Sequence, residues 1–257
     1  MLEMRSVRKV YNPGTVRELC LFEDFSLTVP ESQFVSVVGS NGSGKTSMLN
    51  ILCGSIPADG GSILLEGRDI TREREHVRAR LMGRVYQNPA MGTCGSMTIL
   101  ENLSLADNKG KPYNLRFGTD KRRIGRYREL LAPLGLGLEN MLNARVGSLS
   151  GGQRQALSLI MSAMTPIRFL ILDEHTAALD PKTAEVIMRL TDRIVREKKL
   201  TALMVTHNLR YALEYGGRIL MMHQGGIVLD RSGEEKRGLS IDDVLKIFNE
   251  ISVECGN

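Results

Sequence analysis

The chain has 257 residues, of which 42% are hydrophobic and 25% are charged, and its net charge is +5. A chain of this length and composition can bury a core without disulfides or a structural metal, which excludes disordered, fibrous and small disulfide-bonded proteins. No stretch approaches the roughly 18 consecutive apolar residues of a membrane span, and the polar N-terminus has no apolar signal segment. The four cysteines form no Cys-x-x-Cys pair, which fits a reducing compartment and argues against zinc. These features predict a packed, enzyme-like cytoplasmic protein.

The positive charge is concentrated in one window, Lys109–Arg128. This window holds eight basic residues against one acid, Asp120; the basic residues are Lys109, Lys111, Arg116, Lys121, Arg122, Arg123, Arg126 and Arg128. Because a nucleic-acid binder spreads basic charge more widely, we expect no nucleic-acid partner. Two interpretations of the window remain: it is a solvated charged face, or it lies near anionic lipid headgroups.

Apolar strand-like runs alternate with helical segments along the chain, which predicts an α/β fold. Three apolar runs read as buried strands, namely Gln33–Val38, Phe169–Leu172 and Ala202–Val205. Two further runs, Ser62–Glu66 and Arg218–Met222, precede glycine-containing turns and predict hairpins. The sequence therefore predicts a parallel core flanked by some antiparallel sheet.

Between about Asn88 and Leu149 the strand signal disappears, and prolines interrupt helical or irregular segments. We interpret residues 88–159 as a helical subdomain inserted into a core made of 1–87 and 160–257. Each motif described below occurs once and there is no internal repeat. The prediction is one domain of this composite kind.

One Gly-rich segment fits the pattern G-x-x-x-x-G-K-[ST], directly after a predicted strand and before a predicted helix. Its members are Gly39, Ser40, Asn41, Gly42, Ser43, Gly44, Lys45 and Thr46. In such a loop the backbone N–H groups and the helix N-terminus surround phosphate oxygens, the lysine reaches the β- and γ-phosphates, and the hydroxyl binds Mg²⁺. We therefore predict an ATP site with Mg²⁺, the alternative being a plain Gly-rich turn.

Two carboxylates, Asp173 and Glu174, follow the apolar run Phe169–Leu172. Ligands of open α/β sheets bind at the carboxyl edge of the strands, which is where these side chains are expected. We predict that Asp173 holds Mg²⁺ and that Glu174 acts as the general base toward the attacking water. Taken alone, an acidic pair of this kind is more often ordinary surface chemistry.

The run Leu149-Ser150-Gly151-Gly152-Gln153 precedes a predicted helix, of which Ser150 is a credible N-cap. With this run, the chain resembles an ATP-binding cassette (ABC) ATPase over nearly its whole length. The resemblance implies an ABC nucleotide-binding domain, in which this signature loop (Ser150, Gly151, Gly152, Gln153) contacts the ATP held by a second copy. It thus implies a head-to-tail homodimer with two sandwiched nucleotides.

The resemblance extends to four further positions in the expected order. Gln87 matches the glutamine that senses Mg²⁺ and the attacking water, and His207 matches the switch histidine at the γ-phosphate. Asp180 closes the loop that crosses the dimer interface, and it is also a candidate helix cap before Pro181. Tyr11 falls where an aromatic ring stacks on adenine, although it could instead begin a turn.

One position departs from the family pattern: His175 follows the catalytic glutamate where many members have proline. The ring either fills the space of that proline, which we favour because the sequence names no partner for it, or supports Glu174 or the dimer interface. The motif Asp173-Glu174-His175-Thr176 resembles a bacterial importer group that works with a separate permease and a binding lipoprotein. Aromatic amino acids are the substrate class that this resemblance suggests.

We therefore expect the energy-coupling ATPase subunit of a membrane importer, held at the inner face of the cell membrane by permease subunits and served by an extracytoplasmic binding protein. An exporter or lipoprotein-releasing ABC ATPase remains open, since the transported molecule does not touch this subunit. A nucleic-acid-directed ABC ATPase is the more distant alternative, because such proteins carry paired cassettes, coiled coils or zinc modules that this chain lacks.

Overall fold

The computed structural model describes residues 1–112 and 118–254. The strands are β1 (Leu2–Tyr11), β2 (Leu19–Val29), β3 (Phe34–Gly39), β4 (Gly60–Leu65), β5 (Arg68–Asp69), β6 (Met82–Val85), β7 (Phe169–Asp173), β8 (Thr201–Val205), β9 (Arg218–His223) and β10 (Gly226–Ser232). The helices are α1 (Lys45–Cys53), α2 (Glu75–Arg78), α3 (Ile99–Asp107), α4 (Ile124–Leu131), α5 (Gly151–Ala163), α6 (Pro181–Glu197), α7 (Leu209–Glu214), α8 (Gly233–Arg237) and α9 (Ile241–Glu254).

The chain divides into two compact units. The first unit comprises Met1–Ala79 and Lys199–Asn257, and the second comprises Arg80–Lys198. Within the first unit lie the Gly-rich loop and both ends of the chain, whereas the second holds the acidic pair and the signature loop. The helical subdomain predicted at 88–159 falls inside the second unit, and its boundaries stay a prediction.

An antiparallel sheet of the first unit has the strand order β2-β1-β4-β5. Its β4–β5 hairpin confirms the turn predicted after Ser62–Glu66, and Glu66 and Gly67 both take positive φ there, as a tight hairpin turn requires. The long strands β1 and β2 were not among the predicted strands. The register of β1 shifts between Met4 and Val7, so buried positions do not alternate regularly and the period of two is lost.

A second sheet region of the first unit runs in the order β10-β9-β3-β8. Strands β9, β3 and β8 are parallel, and β10 adds an antiparallel hairpin, so the region is mixed. All six residues of β3 and all five of β8 are buried, which explains their continuous apolar runs. The predicted runs Gln33–Val38, Ala202–Val205 and Arg218–Met222 thus lie in strands, within one residue of the observed starts.

In the second unit, β6 and β7 pair in parallel, with Val85 opposite Leu172. Between residue 88 and residue 149 the described part of the chain has no named strand, only helices and short 3₁₀ turns, as the sequence predicts. Helix α3 begins at a capping box formed by Thr98 and Glu101. Helix α5 packs on β6 so closely that a Cβ at Gly83 would lie 2.5 Å from the backbone oxygen of Ser162.

The basic window is organised around a buried acid that precedes it, Asp107. Its carboxylate pairs with Arg123 and accepts a 3.1 Å hydrogen bond from Tyr127, and Arg126 lies 3.5 Å away. Lys109 donates to the backbone oxygen of Met82 at 3.0 Å, and burial lowers the pKa of its ammonium. Part of the window therefore supports the fold, while Arg116 lies outside the described residues and the surface role of the window stays a prediction.

Candidate functional site

The Gly-rich loop Gly39–Thr46, called the phosphate loop below, connects β3 to α1. Gly42 and Gly44 take φ values of 79° and 102°, a region that side chains disfavour, and a Cβ at Gly44 would lie 2.9 Å from the ring of Phe22. The N–H of Gly225, in the β9–β10 turn, donates to the backbone oxygen of Ser43 at 3.0 Å. The conformation of the loop therefore depends both on its glycines and on a hydrogen bond from the β9–β10 turn.

Lys45 lies inside the phosphate loop, where its side chain is almost completely buried. Its ammonium donates to the backbone oxygens of Gly39 and Ser40, each at 2.8 Å, and to Oγ of Ser43 at 3.3 Å. All of these acceptors lie within six residues of the lysine, so the loop positions its own cation. Such a cation beside a helix N-terminus forms a site for phosphate oxygens.

Two other predicted residues of the first unit lie beside this loop. The hydroxyl of Tyr11 is 3.0 Å from Oγ of Ser47, in the first turn of α1. His207 is exposed and follows β8, whose last residue pairs with Val37 of β3 in parallel register. Since β3 leads directly into the phosphate loop, His207 and the loop leave the same edge of the sheet. The first unit therefore brings together the phosphate loop, Tyr11 and His207.

In the second unit, Gln87, Asp173 and Glu174 leave the carboxyl ends of β6 and β7, two adjacent parallel strands. Gln87 is exposed, and the two acidic residues are half-buried. Gln87 and Asp173 supply amide and carboxylate oxygens in the second unit, and Thr46, which is exposed in the first unit, supplies a hydroxyl oxygen. Each of these side chains offers the kind of oxygen ligand that Mg²⁺ takes.

Asp173 has a partner that the sequence did not reveal. Nη2 of Arg84, on β6, donates to Oδ2 of Asp173 at 2.7 Å, and only 11% and 13% of the two side chains are exposed. The guanidinium also lies over the ring of Tyr86, 4.7 Å from its centroid. The side chain of Asp173 is therefore held at the end of β7 by a guanidinium from the neighbouring strand.

The segment Asp173–Asp180, called the carboxylate segment below, contains an uncommon backbone conformation. Glu174 takes a φ of 46°, in the left-handed region, which for a residue other than glycine costs about 1 kcal/mol. Two consecutive turns follow, in which Ala177 N–H donates to Glu174 O at 2.9 Å and Leu179 N–H donates to Thr176 O at 3.2 Å. The strained residue therefore sits at the start of a tightly bonded loop.

His175, directly after Glu174, is buried in the second unit. Its Nε2 lies 3.0 Å from Oγ1 of Thr191, on α6. Burial of the ring lowers the pKa of His175 to about 4, so the neutral imidazole is the stable form near pH 7. The ring is thus part of the core of this unit rather than a surface group.

The carboxylate segment ends at Asp180, which caps α6 by accepting a 3.1 Å hydrogen bond from Thr183 N–H. Hydrogen bonds from the hydroxyl and the N–H of Thr183 hold the pKa of the Asp180 carboxyl below its usual range. The cap expected before Pro181 is therefore confirmed. The interface role expected for Asp180 is a separate matter and stays a prediction.

The signature loop forms the start of α5, with Ser150 as its N-cap. Oγ of Ser150 accepts from Gln153 N–H at 3.3 Å, and Oε1 of Gln153 accepts from Ser150 N–H at 3.1 Å, which completes a capping box. A Cβ at Gly152 would overlap Cγ2 of Thr183, so this glycine lets α5 approach α6. The predicted cap is confirmed, and the loop exposes a helix N-terminus suited to an anion.

Three residues that position the site were missed by sequence analysis: Arg84, Gln155 and Thr191. Gln155 is fully buried on α5 and its Nε2 donates to the backbone oxygen of Tyr86 at 3.1 Å, one residue before Gln87. All three are polar side chains on otherwise apolar surfaces. A polar residue at a position that the periodicity assigns to the core is the signal that could have found Gln155 and Thr191.

Comparison with known proteins agrees with this geometry. The profile of the ABC transporter family matches residues 22–177. The tyrosine transport ATP-binding protein of Clostridioides difficile is 46% identical over 248 residues, which cover 96% of this chain and 98% of that protein. The chain belongs to the ABC transporter ATP-binding family. As an ABC ATPase it binds ATP and hydrolyses it to energise transport, as the sequence predicts.

Other family members extend the comparison. The spermidine/putrescine import ATP-binding protein of Haemophilus influenzae is 31% identical over 91% of this chain, which spans 59% of that longer protein. The dimeric ATP-binding cassette MJ0796, bound to ADP and Pi, is 27% identical and superposes with a TM-score of 0.77 over 93% of this chain and 100% of that one. The predicted ABC nucleotide-binding fold is therefore confirmed.

Among the helices of residues 1–112 and 118–254, none is both long enough and apolar enough to cross a membrane.

Proposed function

We propose that this ABC ATPase energises the import of tyrosine or a related aromatic amino acid, as a homodimer bound to permease subunits. The observation that carries the proposal is its similarity to the Clostridioides difficile tyrosine transport ATP-binding protein, which extends over 96% of this chain and 98% of that protein. Relatives named for polyamine or sulfate import are 31% identical and are longer than this chain. Similarity of that extent favours a shared transport system over a shared domain alone.

The first unit contributes the ATP-holding residues in this proposal. Lys45 turns its ammonium from the loop oxygens to the β- and γ-phosphates, and Gly39–Thr46 surrounds them with backbone N–H groups. Tyr11, held at the start of α1 through Ser47, stacks on adenine. His207 contacts the γ-phosphate from the end of β8.

The second unit contributes the residues that act on the attacking water. Glu174 is the general base, since its carboxylate leaves the end of β7 one residue after the metal-binding Asp173. Gln87 would orient the water and offer an amide oxygen to Mg²⁺, and Thr46 would offer a hydroxyl oxygen from the first unit. When bound, Mg²⁺ neutralises the charge that develops on the phosphate oxygens.

The second copy of the chain completes each site in this proposal. Its signature loop presents Ser150, Gly151, Gly152 and Gln153 to the γ-phosphate with the helix N-terminus of α5, which favours an anion. Its Asp180 loop lies at the same dimer interface. The dimeric state of MJ0796, which has 27% identity to this chain, supports a paired arrangement.

The transport proposal is tested by measuring uptake of labelled tyrosine in cells of the source organism from which the gene for this chain has been deleted. Cells complemented with the wild-type chain should recover uptake, whereas cells complemented with Glu174→Gln should not, because the base is lost while the fold is kept. Excess unlabelled phenylalanine should compete, while spermidine and sulfate should not. If the wild-type chain restores uptake of spermidine or sulfate but not of tyrosine, the proposed substrate class is wrong. If it instead increases the loss of tyrosine from preloaded cells, the chain belongs to an exporter.

The partners can be tested in the same cells. A tagged chain purified from detergent-solubilised membranes should bring down permease subunits, identified by mass spectrometry, together with a binding protein. Purification with ribosomes or DNA in their place would contradict membrane transport and favour the nucleic-acid alternative.

A further inference from the structure

His175 has a defined partner at a distance along the chain. Only 1% of the residue is exposed, and Thr191, which lies 3.0 Å from its Nε2, is fully buried in the middle of α6. The sequence offered no partner for this ring, which left open whether the histidine only fills space. A buried polar pair of this kind joins two segments that are separated by 16 residues.

The direction of this hydrogen bond follows from the second contact of the threonine. Oγ1 of Thr191 also lies 2.8 Å from the backbone oxygen of Ile187, which can only accept. A hydroxyl has one proton, so Thr191 donates to Ile187 O and accepts from the ring. Nε2 of His175 therefore carries a proton in either charge state of the ring, and the contact does not depend on titration.

The bond connects the strained end of β7 to the helix that supports two other functional segments. Glu174, directly before His175, takes the left-handed conformation, which persists only where surrounding contacts enforce it. Helix α6 begins at the Asp180 cap, and its Thr183 is the residue against which Gly152 of the signature loop packs. One helix thus contacts the residue after the base, the loop at Asp180 and the start of α5.

We propose that the His175–Thr191 hydrogen bond is a clasp that positions Glu174 to activate the water that attacks ATP, so that His175 and Thr191 are positioning residues for hydrolysis. This inference rests on the proposed role of Glu174 as the base. A proline at position 175 would restrict the backbone locally but could not reach a hydroxyl on α6. The clasp therefore fixes the position of Glu174 by attaching the next residue to helix α6, and not by restricting φ at position 175.

The test measures steady-state ATP hydrolysis by the purified chain for Thr191→Val, Thr191→Ser, His175→Pro and the double variant Thr191→Val with His175→Pro. Valine keeps the shape of threonine and removes the acceptor, whereas serine keeps the hydroxyl. We expect Thr191→Val to lower kcat about tenfold with KM for ATP changed less than about twofold, and Thr191→Ser to stay within about twofold of wild type. Affinity for a fluorescent ATP analogue should be unchanged in all of them.

The double variant separates the clasp from simple packing. If the hydrogen bond carries the effect, Thr191→Val should cause no further loss of kcat in the His175→Pro background. An equal loss in both backgrounds, or normal kcat in Thr191→Val, would overturn the clasp. Circular dichroism and thermal unfolding check each variant, and if His175→Pro does not fold, His175→Met, which has no donor, replaces it in the cycle.

Glu174→Gln is measured alongside to separate this inference from the assignment of the base. If Glu174→Gln hydrolyses ATP at the normal rate, Glu174 is not the base, and the proposed role of the clasp is wrong as well. If Glu174→Gln is inactive and Thr191→Val is fully active, the base assignment stands and only the clasp is overturned.

Discussion

The phosphate loop and the carboxylate segment are held in different ways. In the phosphate loop, Lys45 donates to oxygens of Gly39, Ser40 and Ser43, no more than six residues away, so the loop itself positions the ammonium. In the carboxylate segment, Asp173 is held by Arg84, 89 residues earlier, and His175 is held by Thr191 on a helix that follows. A local motif therefore specifies the first region, whereas the second depends on the fold around it.

This difference has a consequence for substitutions. Loss of the Lys45 ammonium should remove ATP binding while leaving the fold intact, because the ammonium donates to oxygens of the loop itself. Changes in the partners of the carboxylate segment should instead alter stability or turnover, because these partners belong to the core of the second unit. Three substitution experiments test this difference between the two regions.

Lys45→Ala should have the largest effect, a loss of ATP hydrolysis of at least about a thousandfold, because no other side chain in the loop supplies the positive charge at the phosphates. Binding of a fluorescent ATP analogue should weaken strongly, and the thermal unfolding midpoint without nucleotide should change little. Lys246→Ala, at an exposed position on α9, is the control and should behave as wild type. Normal hydrolysis by a Lys45→Ala preparation free of other ATPases would contradict the assignment of the phosphate loop.

Arg84→Met should lower the free energy of unfolding by about 3 kcal/mol in the absence of Mg²⁺ and ATP, because it leaves the largely buried carboxylate of Asp173 without its cation. Arg84→Lys keeps the positive charge, so its free energy of unfolding should fall by less. Denaturant unfolding measures both, and Arg189→Met, at an exposed position on α6, is the control. If Arg84→Met is as stable as that control, the salt bridge does not hold the segment.

The pH dependence of stability gives an effect of at most similar size, which appears only at acidic pH. The ring of His175 takes up a proton near pH 6.5 in the unfolded chain but only near pH 4 when buried. Between these values the unfolded state binds more protons, so the free energy of unfolding falls as the pH is lowered, by up to about 3 kcal/mol from this group. In nucleotide-free unfolding experiments, His175→Gln should reduce that pH dependence, and parallel curves for the two proteins would contradict the buried neutral ring.

The contrast between the two regions also explains what the sequence could predict. The phosphate loop, the strands β3, β7 and β8, and the caps at Ser150 and Asp180 follow from local patterns, and the structure confirms these elements. Strands β1 and β2 escaped prediction because register shifts near Ser6 interrupt their alternation.

The partners of the site residues could not be predicted in the same way. Arg84 and Thr191 are ordinary residues of a strand and a helix until the fold brings them to Asp173 and His175. Pairing of this kind depends on the strand order and on helix packing, which one sequence does not specify. The basic window shows the same limit, since Asp107, the acid that organises it, lies just outside the charged run.

If Glu174 is the base of an ATPase that works as an ATP-bound pair of identical chains, Glu174→Gln should stop hydrolysis and preserve the pair. Light scattering of Glu174→Gln, with and without ATP, measures whether this pair forms. The protein concentration is kept high, because in this assay the two chains must pair without the permease. We expect that ATP binds, that hydrolysis stops, that monomer becomes dimer, and that a second change, Ser150→Arg, prevents the dimer by placing bulk at the phosphate site. Hydrolysis by Glu174→Gln at the normal rate, or a dimer that forms without ATP and ignores Ser150→Arg, would contradict it.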